Sequence, residues 1–516
     1  MSPRARSTCL ALLAALWLGA PATARAAPVL VYGGDGGAQV RDDPALPPVR
    51  ETDPQLPAGL GPCRAPAPPA LRAAASDVKA AVERARKGGG IESQEATSYK
   101  QAYSDARAAR ARLDGTRRAE LSSVIERLEL FASRDQLTAS RMPALFLQLR
   151  RNTEFWGGDP RFPPRTDVPP EPCQSASGGG NAGARIQFAG SELIFQYYPG
   201  NGLQVQPLAN FGKANGIYTA CRRKQARCDP EALRRLLDEL VAIRSKRAGF
   251  TAWEYWFPFG GGSPPWVSGM EAGTAIQALA RGSQLLGESS YLRVARAAVP
   301  IFAKSAPAGV RARGEGGGSH YALYSFAPGL RVLNGFLQAI TGIYDYARVA
   351  HDDRAMALFR AGDRSARREV PRYDTGAWSL YSQGGAESTL NYHNVVTDFL
   401  TNLCSRTRAA VYCSTRQRFS AYKRRPPALR YAGPSKAVEG RRTLLAFKLD
   451  KVSCVTAVIR DAAGAEVYRS RIKVARGRHA FTWRPRRAGE LTLELEALDL
   501  RKNRSVVTRQ MRVTGD

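Results

Sequence analysis

Four stretches of this 516-residue chain crowd aromatic rings together with hydrogen-bonding side chains where an ordinary core would use leucine and valine. They are Phe195-Gln196-Tyr197-Tyr198-Pro199-Gly200, Trp253-Glu254-Tyr255-Trp256-Phe257-Pro258-Phe259-Gly260, His320-Tyr321-Ala322-Leu323-Tyr324-Ser325-Phe326, and Tyr373-Asp374-Thr375-Gly376 continuing through Tyr381 to Asn391-Tyr392-His393. Flat aromatic faces next to polar groups suit a sugar ring, whose C–H faces stack on rings while its hydroxyls take hydrogen bonds. Any one stretch reads more simply as core packing; four at predicted loops and helix ends favour a carbohydrate site. Trp253, Tyr255, Tyr198 and Tyr373 are candidate binding residues on this ground.

The elements that must hold these stretches follow from the apolar spacing. Residues 27–70 are rich in Pro, Gly and Ala and read as a flexible lead-in. From 71 to 155 the pattern is helical, with Leu121, Val124, Ile125, Leu128 and Leu130 near one face and Leu145, Phe146, Leu147 and Leu149 on a later one. Residues 156–184 read as a linker. Arg185 to Gln206 alternates around Pro199-Gly200-Asn201-Gly202, as strands about a tight turn do. Then seven or eight helices are predicted; Asp229 is an N-cap ahead of Pro230, and Leu233, Leu236, Leu237 and Leu240 make the stripe behind it. Long glycine-rich loops between alternate helices suit a toroid of helical hairpins over 185–425, with the loops Gly260 to Pro265 and Gly314 to Ser319 at one mouth; an irregular bundle is the alternative. After Pro426-Pro427, short alternating runs read as a β-sandwich of six or seven strands over 426–516. The predicted fold class is thus mainly α with β: a helical N-terminal region, an (α/α) toroid and an Ig-like β-sandwich.

Charge and compartment narrow the partner. Lys and Arg number 76 against 45 Asp and Glu, a formal +31, which draws the chain to acidic partners. Residues 421–516 hold 23 Lys/Arg and 9 Asp/Glu, either a solvated face or a dock for a polyanion. Arg4 and Arg6, an apolar run from Cys9 to Leu18 and Ala24-Arg25-Ala26 form a secretory signal that predicts a mature start at Ala27 and a secreted or periplasmic protein; an uncleaved anchor is the alternative. Export argues against nucleic acid, and no later run reaches the ~20 apolar residues of a membrane span. An oxidising compartment suits the cysteines: Cys221 with Cys228 and Cys404 with Cys413 are local pairs, Cys63 with Cys173 a third, and Cys454 is left over in a strand. Zinc is the competing reading of these cysteines, but the close C-x₂₋₄-C spacing and suitable histidines are missing.

The aromatic stretches also carry a resemblance. Trp266-Val267-Ser268-Gly269-Met270 with Gly273, Leu333-Asn334-Gly335-Phe336 leading to Gly342-Ile343-Tyr344-Asp345, then Tyr373-Asp374-Thr375-Gly376 and Tyr392-His393, resemble successive blocks of the D-glucuronyl C5-epimerase C-terminal domain, over roughly 190–425. Tyr198-Pro199, Gln206-Pro207 and Phe211-Gly212 resemble its start. The resemblance implies an (α/α) toroid that inverts C5 of a hexuronic acid in an acidic polysaccharide, with no cofactor and no metal, and it is compatible with a homodimer. It implies acid/base roles for Tyr381 and Tyr392, with Tyr324 assisting, His393 orienting, and Tyr198, Gln206, Trp266 and Asn334 among the substrate-binding residues. Three positions differ from the family pattern: Leu323 stands where the family has Glu, Ala272 where it has Gln, and Ser382-Gln383-Gly384-Gly385 where it has Asp-Leu-Arg-His. Glu254 and Glu387 are the candidates to replace the missing carboxylate. A non-catalytic polysaccharide-binding protein and a uronate lyase, which starts with the same C5 deprotonation, are the other readings.

Overall fold

A computed structural model describes residues 27–33, 37–46, 74–163, 173 and 181–515. The signal-like segment 1–26 and Cys63 lie outside the described residues, as do much of the lead-in and of the linker.

The first strands correct the expectation of an irregular lead-in. Strands β1 (Ala27–Tyr32) and β2 (Ala38–Asp43) pair antiparallel, and β1 joins β3 (Arg185–Phe188) in parallel. With β4 (Ile194–Tyr198) and β5 (Gly202–Val205) they form a five-stranded sheet of order β2-β1-β3-β4-β5. The sequence signal was weak because Val29 and Leu30 are buried by a partner strand far along the chain, not by local periodicity. The turn between β4 and β5 uses Gly200 and Gly202 at φ 76° and 69°, where a Cβ would be strained.

Of the four helices α1 (Ala74–Lys87), α2 (Ser93–Ala111), α3 (Gly115–Ser133) and α4 (Met142–Gly157), α3 and α4 pack on strand β5 of this sheet, while α1 packs on α3 and α2 on α4. Leu121, Val124, Ile125 and Leu128 are buried as their spacing predicts, while Phe131 rather than Leu130 completes the face. Strand β5 is an edge, and its backbone is satisfied by helix side chains. Asn152 Oδ1 accepts from Leu203 N at 2.8 Å and its Nδ2 donates to Leu203 O at 2.8 Å; Gln148 Oε1 accepts from Val205 N at 2.9 Å and Glu120 from Gly202 N at 2.8 Å. An unpaired edge is a template for wrong pairing, and these polar residues close it.

Eight helices follow: α5 (Pro207–Arg222), α6 (Pro230–Ala242), α7 (Gly269–Leu286), α8 (Ser289–Ala298), α9 (Leu333–Ala350), α10 (Asp353–Glu369), α11 (Leu390–Thr407) and α12 (Ala410–Tyr422). They form four successive hairpins. Helix α7 packs against α5 on one side and α9 on the other, α9 packs against α11, and each even-numbered helix packs on its predecessor. Asp229, Ser268, Asp352 and Thr389 cap α6, α7, α10 and α11 with side-chain oxygens, which satisfies N–H groups the helices leave free. The turns inside the hairpins from α7 on are short, closed by Gly287, His351 and Arg408 in left-handed backbone. The connections between hairpins are long, and carry the small ribbons β6 (Ser245–Arg247) with β7 (Phe250–Ala252) and β8 (Arg311–Arg313) with β9 (Ser319–Tyr321). They deliver the aromatic stretches to the N-terminal ends of α7, α9 and α11.

A polar ladder fixes the register of α5, α7, α9 and α11. Asp345 of α9 accepts from Arg281 of α7 at 2.8 Å and from both Nε and Nη2 of Arg406 of α11, at 2.6 and 2.7 Å; Arg281 also donates to Asn215 of α5 at 2.7 Å.

The C-terminal region has eight strands among the described residues, more than the six or seven expected. They are β10 (Arg430–Tyr431), β11 (Lys436–Val438), β12 (Thr443–Leu449), β13 (Ser453–Asp461), β14 (Glu466–Val474), β15 (Gly477–Trp483), β16 (Gly489–Asp499) and β17 (Arg504–Thr514). The two additions, β10 and β11, are too short to show a period. Sheets β10-β12-β15 and β11-β17-β16-β13-β14 enclose one apolar core, with Leu445, Phe447 and Leu449 facing Val455, Ile459, Leu493 and Leu495 across it. Buried Lys451 fastens this sandwich to the helices: its Nζ donates to Asp499 at 2.8 Å and to the carbonyls of Tyr422 and Arg425.

Cys221–Cys228 and Cys404–Cys413 are bonded as their spacing predicts. Cys173, however, pairs with Cys454 rather than Cys63, so Cys454 is not left over. That bridge joins the linker to β13, a proximity only the tertiary fold creates.

Replacing Asp345 by Asn leaves two half-buried guanidinium groups without their carboxylate. We expect a loss of ~3–5 kcal/mol in stability, read as a fall in thermal midpoint against the exposed control Asp353→Asn.

Candidate active site at the inner helix N-termini

Six of the residues singled out from sequence meet in one apolar cluster, packed apart from the main core. Tyr255, Trp266, Tyr324, Tyr381 and Tyr392 are buried in it with Phe257, Met270, Leu323 and Val332, and Tyr198 lies against it. Each inner helix contributes near its N-terminus: Leu208 from α5, Met270 from α7, Val332 before α9 and Tyr392 from α11. The positive ends of several helix dipoles thus face one place, which favours a bound anion.

Ring geometry explains how the cluster is built. The backbones of Tyr255 and Trp266 exchange hydrogen bonds at 2.8 and 3.2 Å, and their rings stack at 4.0 Å and 5°. Trp266 Nε1 donates to Phe257 O at 2.9 Å, and its ring meets Tyr324 and Phe326 edge-on at 5.8 and 5.4 Å. Tyr381 and Tyr392 sit edge to face at 4.9 Å. Gly269 lets the Tyr324 loop approach α7, since a Cβ there would lie 2.6 Å from Ala322 O. A polar chain runs along one side: Tyr255 OH donates to Gln206 Oε1 at 3.2 Å, and Gln206 Nε2 donates to Tyr198 OH at 2.6 Å. Burial pushes the Tyr198 phenol up to about 12 and the Tyr255 phenol well above its usual value, so both keep their protons at neutral pH.

The structure places the remaining expected residues elsewhere. Glu254 is held by Arg141 of the N-terminal region through two 2.9 Å bonds, by Arg247 at 2.7 Å and by Ser245 at 2.8 Å, so its carboxylate joins two regions of the fold. Trp253 lies in the main core against Phe211 and donates to Leu240 O. Tyr373 is fully buried there and donates to Arg331 O at 3.0 Å. Both ring nitrogens of His393 are engaged, Nδ1 with Ser379 at 2.8 Å and Nε2 with Phe419 O at 2.9 Å, and the ring stacks on Trp378 at 3.8 Å. Burial lowers the His393 pKa to about 4, which keeps a neutral ring in the core. Glu387 accepts from the backbone N–H groups of Val452 and Arg476, a tie to the β-sandwich. Asn334 is buried in the first turn of α9, and its Oδ1 has no hydrogen-bond partner among the described residues. A surface groove of about 840 Å³ lined by Ser93, Gln101, Asp105, Arg150 and Glu154 shares no residue with the cluster.

One residue escaped the sequence reading. Glu271, in the first turn of α7, is 1 % exposed, and its Oε1 lacks a hydrogen-bond partner among the described residues. Ser268-x-x-Glu271 reads as a capping box, which makes the glutamate look like a local helix signal. Ser268 does accept from Glu271 N at 3.3 Å, but the carboxyl group returns no cap.

Two outcomes check these assignments. His393 has a folded pKa of about 4 against an ordinary 6.5, so its neutral form stabilises the fold above pH 6.5 and that contribution falls away as pH drops toward 4. The acid-induced loss of stability between these values is expected to shrink in His393→Gln, measured by denaturant unfolding at stepped pH. Glu254→Gln is expected to lower the thermal midpoint by the equivalent of ~3 kcal/mol and to leave ligand affinity of the surviving fold within about threefold of the parent, read by melting and by titration.

Residues 248–421 match the family model for the D-glucuronyl C5-epimerase C-terminus, a narrower span than 190–425, which leaves Tyr198 and Gln206 outside it. A D-glucuronyl C5-epimerase of Caenorhabditis elegans is 35% identical over 132 residues, 23% of this chain and 21% of that protein. An uncharacterized protein of Methanocaldococcus jannaschii is 26% identical over 163 residues, 30% of this chain and 53% of that protein. The chain therefore spans between a fifth and about half of the length of these curated relatives. Among solved structures, a GH76 α-mannanase of Bacteroides thetaiotaomicron is similar at TM-score 0.30 and 12% identity over 42% of this chain and 59% of that one. Five of the six residues brought together in the aromatic cluster lie within the matched span, so the similarity to the D-glucuronyl C5-epimerase C-terminus takes in most of the cluster.

Proposed function

We propose that this chain is an exported D-glucuronyl C5-epimerase-like protein that inverts C5 of hexuronic acid residues within an acidic polysaccharide. The observation that carries the reading is the meeting of Tyr255, Trp266, Tyr324, Tyr381 and Tyr392 at the inner helix N-termini, inside the family-matched span. The four hairpins are read as belonging to an (α/α) toroid and the sandwich as Ig-like. Three disulfides support an oxidising compartment after export. No helix among the described residues is long and apolar enough to cross a membrane.

The chemistry asked of the cluster is proton transfer. The C5 proton lies next to a carboxylate and is weakly acidic, so inversion needs a base on one ring face, a donor on the other, and stabilisation of the enolate-like charge between them. We assign the two transfer roles to Tyr381 and Tyr392, whose rings meet edge to face, with Tyr324 beside them. Trp266 and Tyr255 offer stacked faces for sugar C–H groups, while Gln206 and Tyr198 offer polar atoms. Exposed Arg469, Arg471 and Lys473 on alternate positions of β14 suit a dock for the polyanion. One observation favours the non-catalytic reading: Leu323, where the family carries Glu, is an apolar member of the cluster and packs against Gly335.

Incubation of the mature protein with uronic-acid polysaccharides in deuterated water separates the readings. Deuterium at C5 with chain length unchanged is expected, and Tyr392→Phe should slow its appearance by roughly a hundredfold or more. Shortened chains with an unsaturated end would mean elimination instead, and binding without either change would mean a non-catalytic scaffold. Affinity is expected to fall as ionic strength rises, because attraction between exposed charges is screened over ~8 Å at physiological salt.

A further inference from the structure

Buried carboxyl groups in this protein are supplied with partners, and Glu271 is the exception. Glu120 accepts from Tyr197 OH and the backbone of Gly200 and Gly202; Glu369 is met by Arg331, His320 and Ser365. Glu271 is as deeply buried, and its Oε1 has no hydrogen-bond partner among the described residues. Met270, next to it in the first turn of α7, is a member of the aromatic cluster, and a charge on Glu271 would raise the pKa of the Tyr255 phenol in that cluster.

A carboxylate without a cation in such surroundings costs several kcal/mol, so the group is neutral, and burial raises its pKa well above the usual carboxyl range. It therefore holds a proton while its Oε1 lacks a partner among the described residues, and a buried polar atom left so costs ~1–3 kcal/mol. A second buried polar atom without a partner, Asn334 Oδ1, stands at a similar level of the neighbouring helix. Gln338 of α9 donates to Thr274 and Gln277 of α7, so one turn toward the N-termini Asn334 comes level with the Met270–Glu271 turn. Two buried atoms without partners thus stand near adjacent helix N-termini, Glu271 next to the cluster's Met270 and Asn334 two residues after its Val332, where a polar ligand group would satisfy them.

We infer that the Glu271 carboxyl group donates its O–H to the carboxylate of a uronate ring bound at the aromatic cluster. The inference rests on the reading of that cluster as a uronate site. The proton stays on Glu271 throughout; the hydrogen bond is charge-assisted in the ground state and strengthens as negative charge gathers on the substrate carboxyl oxygens when C5 loses its proton. Glu271 is thus a selector for the acid over the neutral sugar, separate from the tyrosines that move the C5 proton.

The test is calorimetric titration of the full mature chain with a glucuronate-containing hexasaccharide and with the same oligosaccharide after its carboxyl groups are reduced to alcohols. Wild type is expected to prefer the uronate by about tenfold or more. Glu271→Gln, which keeps an N–H donor, should stay within about threefold of wild type, whereas Glu271→Leu should lose about tenfold for the uronate and little for the reduced sugar. Unchanged uronate affinity in Glu271→Leu, or equal losses for both sugars, would overturn the role of Glu271. If wild type binds neither oligosaccharide, it is the cluster's assignment as a uronate site that fails, and the inference goes with it. Where Glu271→Leu does not fold, infrared difference spectra of wild type minus Glu271→Gln at neutral pH decide: a protonated-carboxyl band that shifts when the uronate is added supports the inference, and its absence refutes it.

Discussion

Asp345 is the group on which the arrangement of the inner helices turns. Its two oxygens receive Arg281 from one neighbouring helix and Arg406 from the other, and Arg281 continues to Asn215 on the next. A carboxylate with two half-buried guanidinium groups has little freedom to slide, because a shift of one helical turn would strand charges in a low-dielectric setting. Where α7 and α9 touch, Gly273 and Gly342 let the backbones come together; a Cβ on Gly273 would lie 2.7 Å from Ala339 Cα, and one on Gly342 would overlap the Gly273 carbonyl. Ladder and glycine contact together set both the register and the spacing. The N-terminal ends of α5, α7, α9 and α11 are thereby held at one level, and the loops that precede them meet.

That meeting is what gathers separate aromatic stretches into one cluster. The loop before α7 brings Tyr255 and Trp266, the loop before α9 brings Tyr324, and the loop before α11 brings Tyr381 beside Tyr392. None of these contacts is local. The polar residues around them fall into two groups with different physics. Glu254, Glu387 and Lys451 are held by fixed partners from other regions and fasten the N-terminal helices and the β-sandwich to the central helices. Glu271 and Asn334 are buried and, among the described residues, each keeps an oxygen without a hydrogen-bond partner, a local cost that packing elsewhere must offset.

Several features were legible because their physics is local. The period of the apolar residues marked α3, α4 and the helices from α6 to α10 within an expected seven or eight, Asp229 ahead of Pro230 announced the start of α6, and strict alternation over Thr443–Leu449 and Leu491–Ala497 marked strands with one face in a core. The short offsets of Cys221 to Cys228 and of Cys404 to Cys413 were enough to pair them. The aromatic stretches themselves were visible, and so was the family resemblance that residues 248–421 bear out.

What sequence could not decide were the outcomes fixed by contacts between distant segments. Ala27–Tyr32 is a strand because Arg185–Phe188 lies beside it, and Cys454 is bonded because the linker carrying Cys173 reaches β13. Residues of the same type in the same stretch met different fates: Tyr255 faces the cluster while Trp253 enters the core, and Tyr392 lies among the site rings while His393 turns inward to Ser379 and Phe419. One step along a loop or helix changes which surface a side chain meets, and a one-dimensional pattern does not record what waits there. By itself the sequence determined which elements form and which side chains are available for chemistry, since propensity, capping and periodicity act within a few residues. Only the tertiary structure decided which of those side chains share a cluster and which buried carboxyl oxygen lacks a partner among the described residues, because burial and pairing belong to the assembled fold.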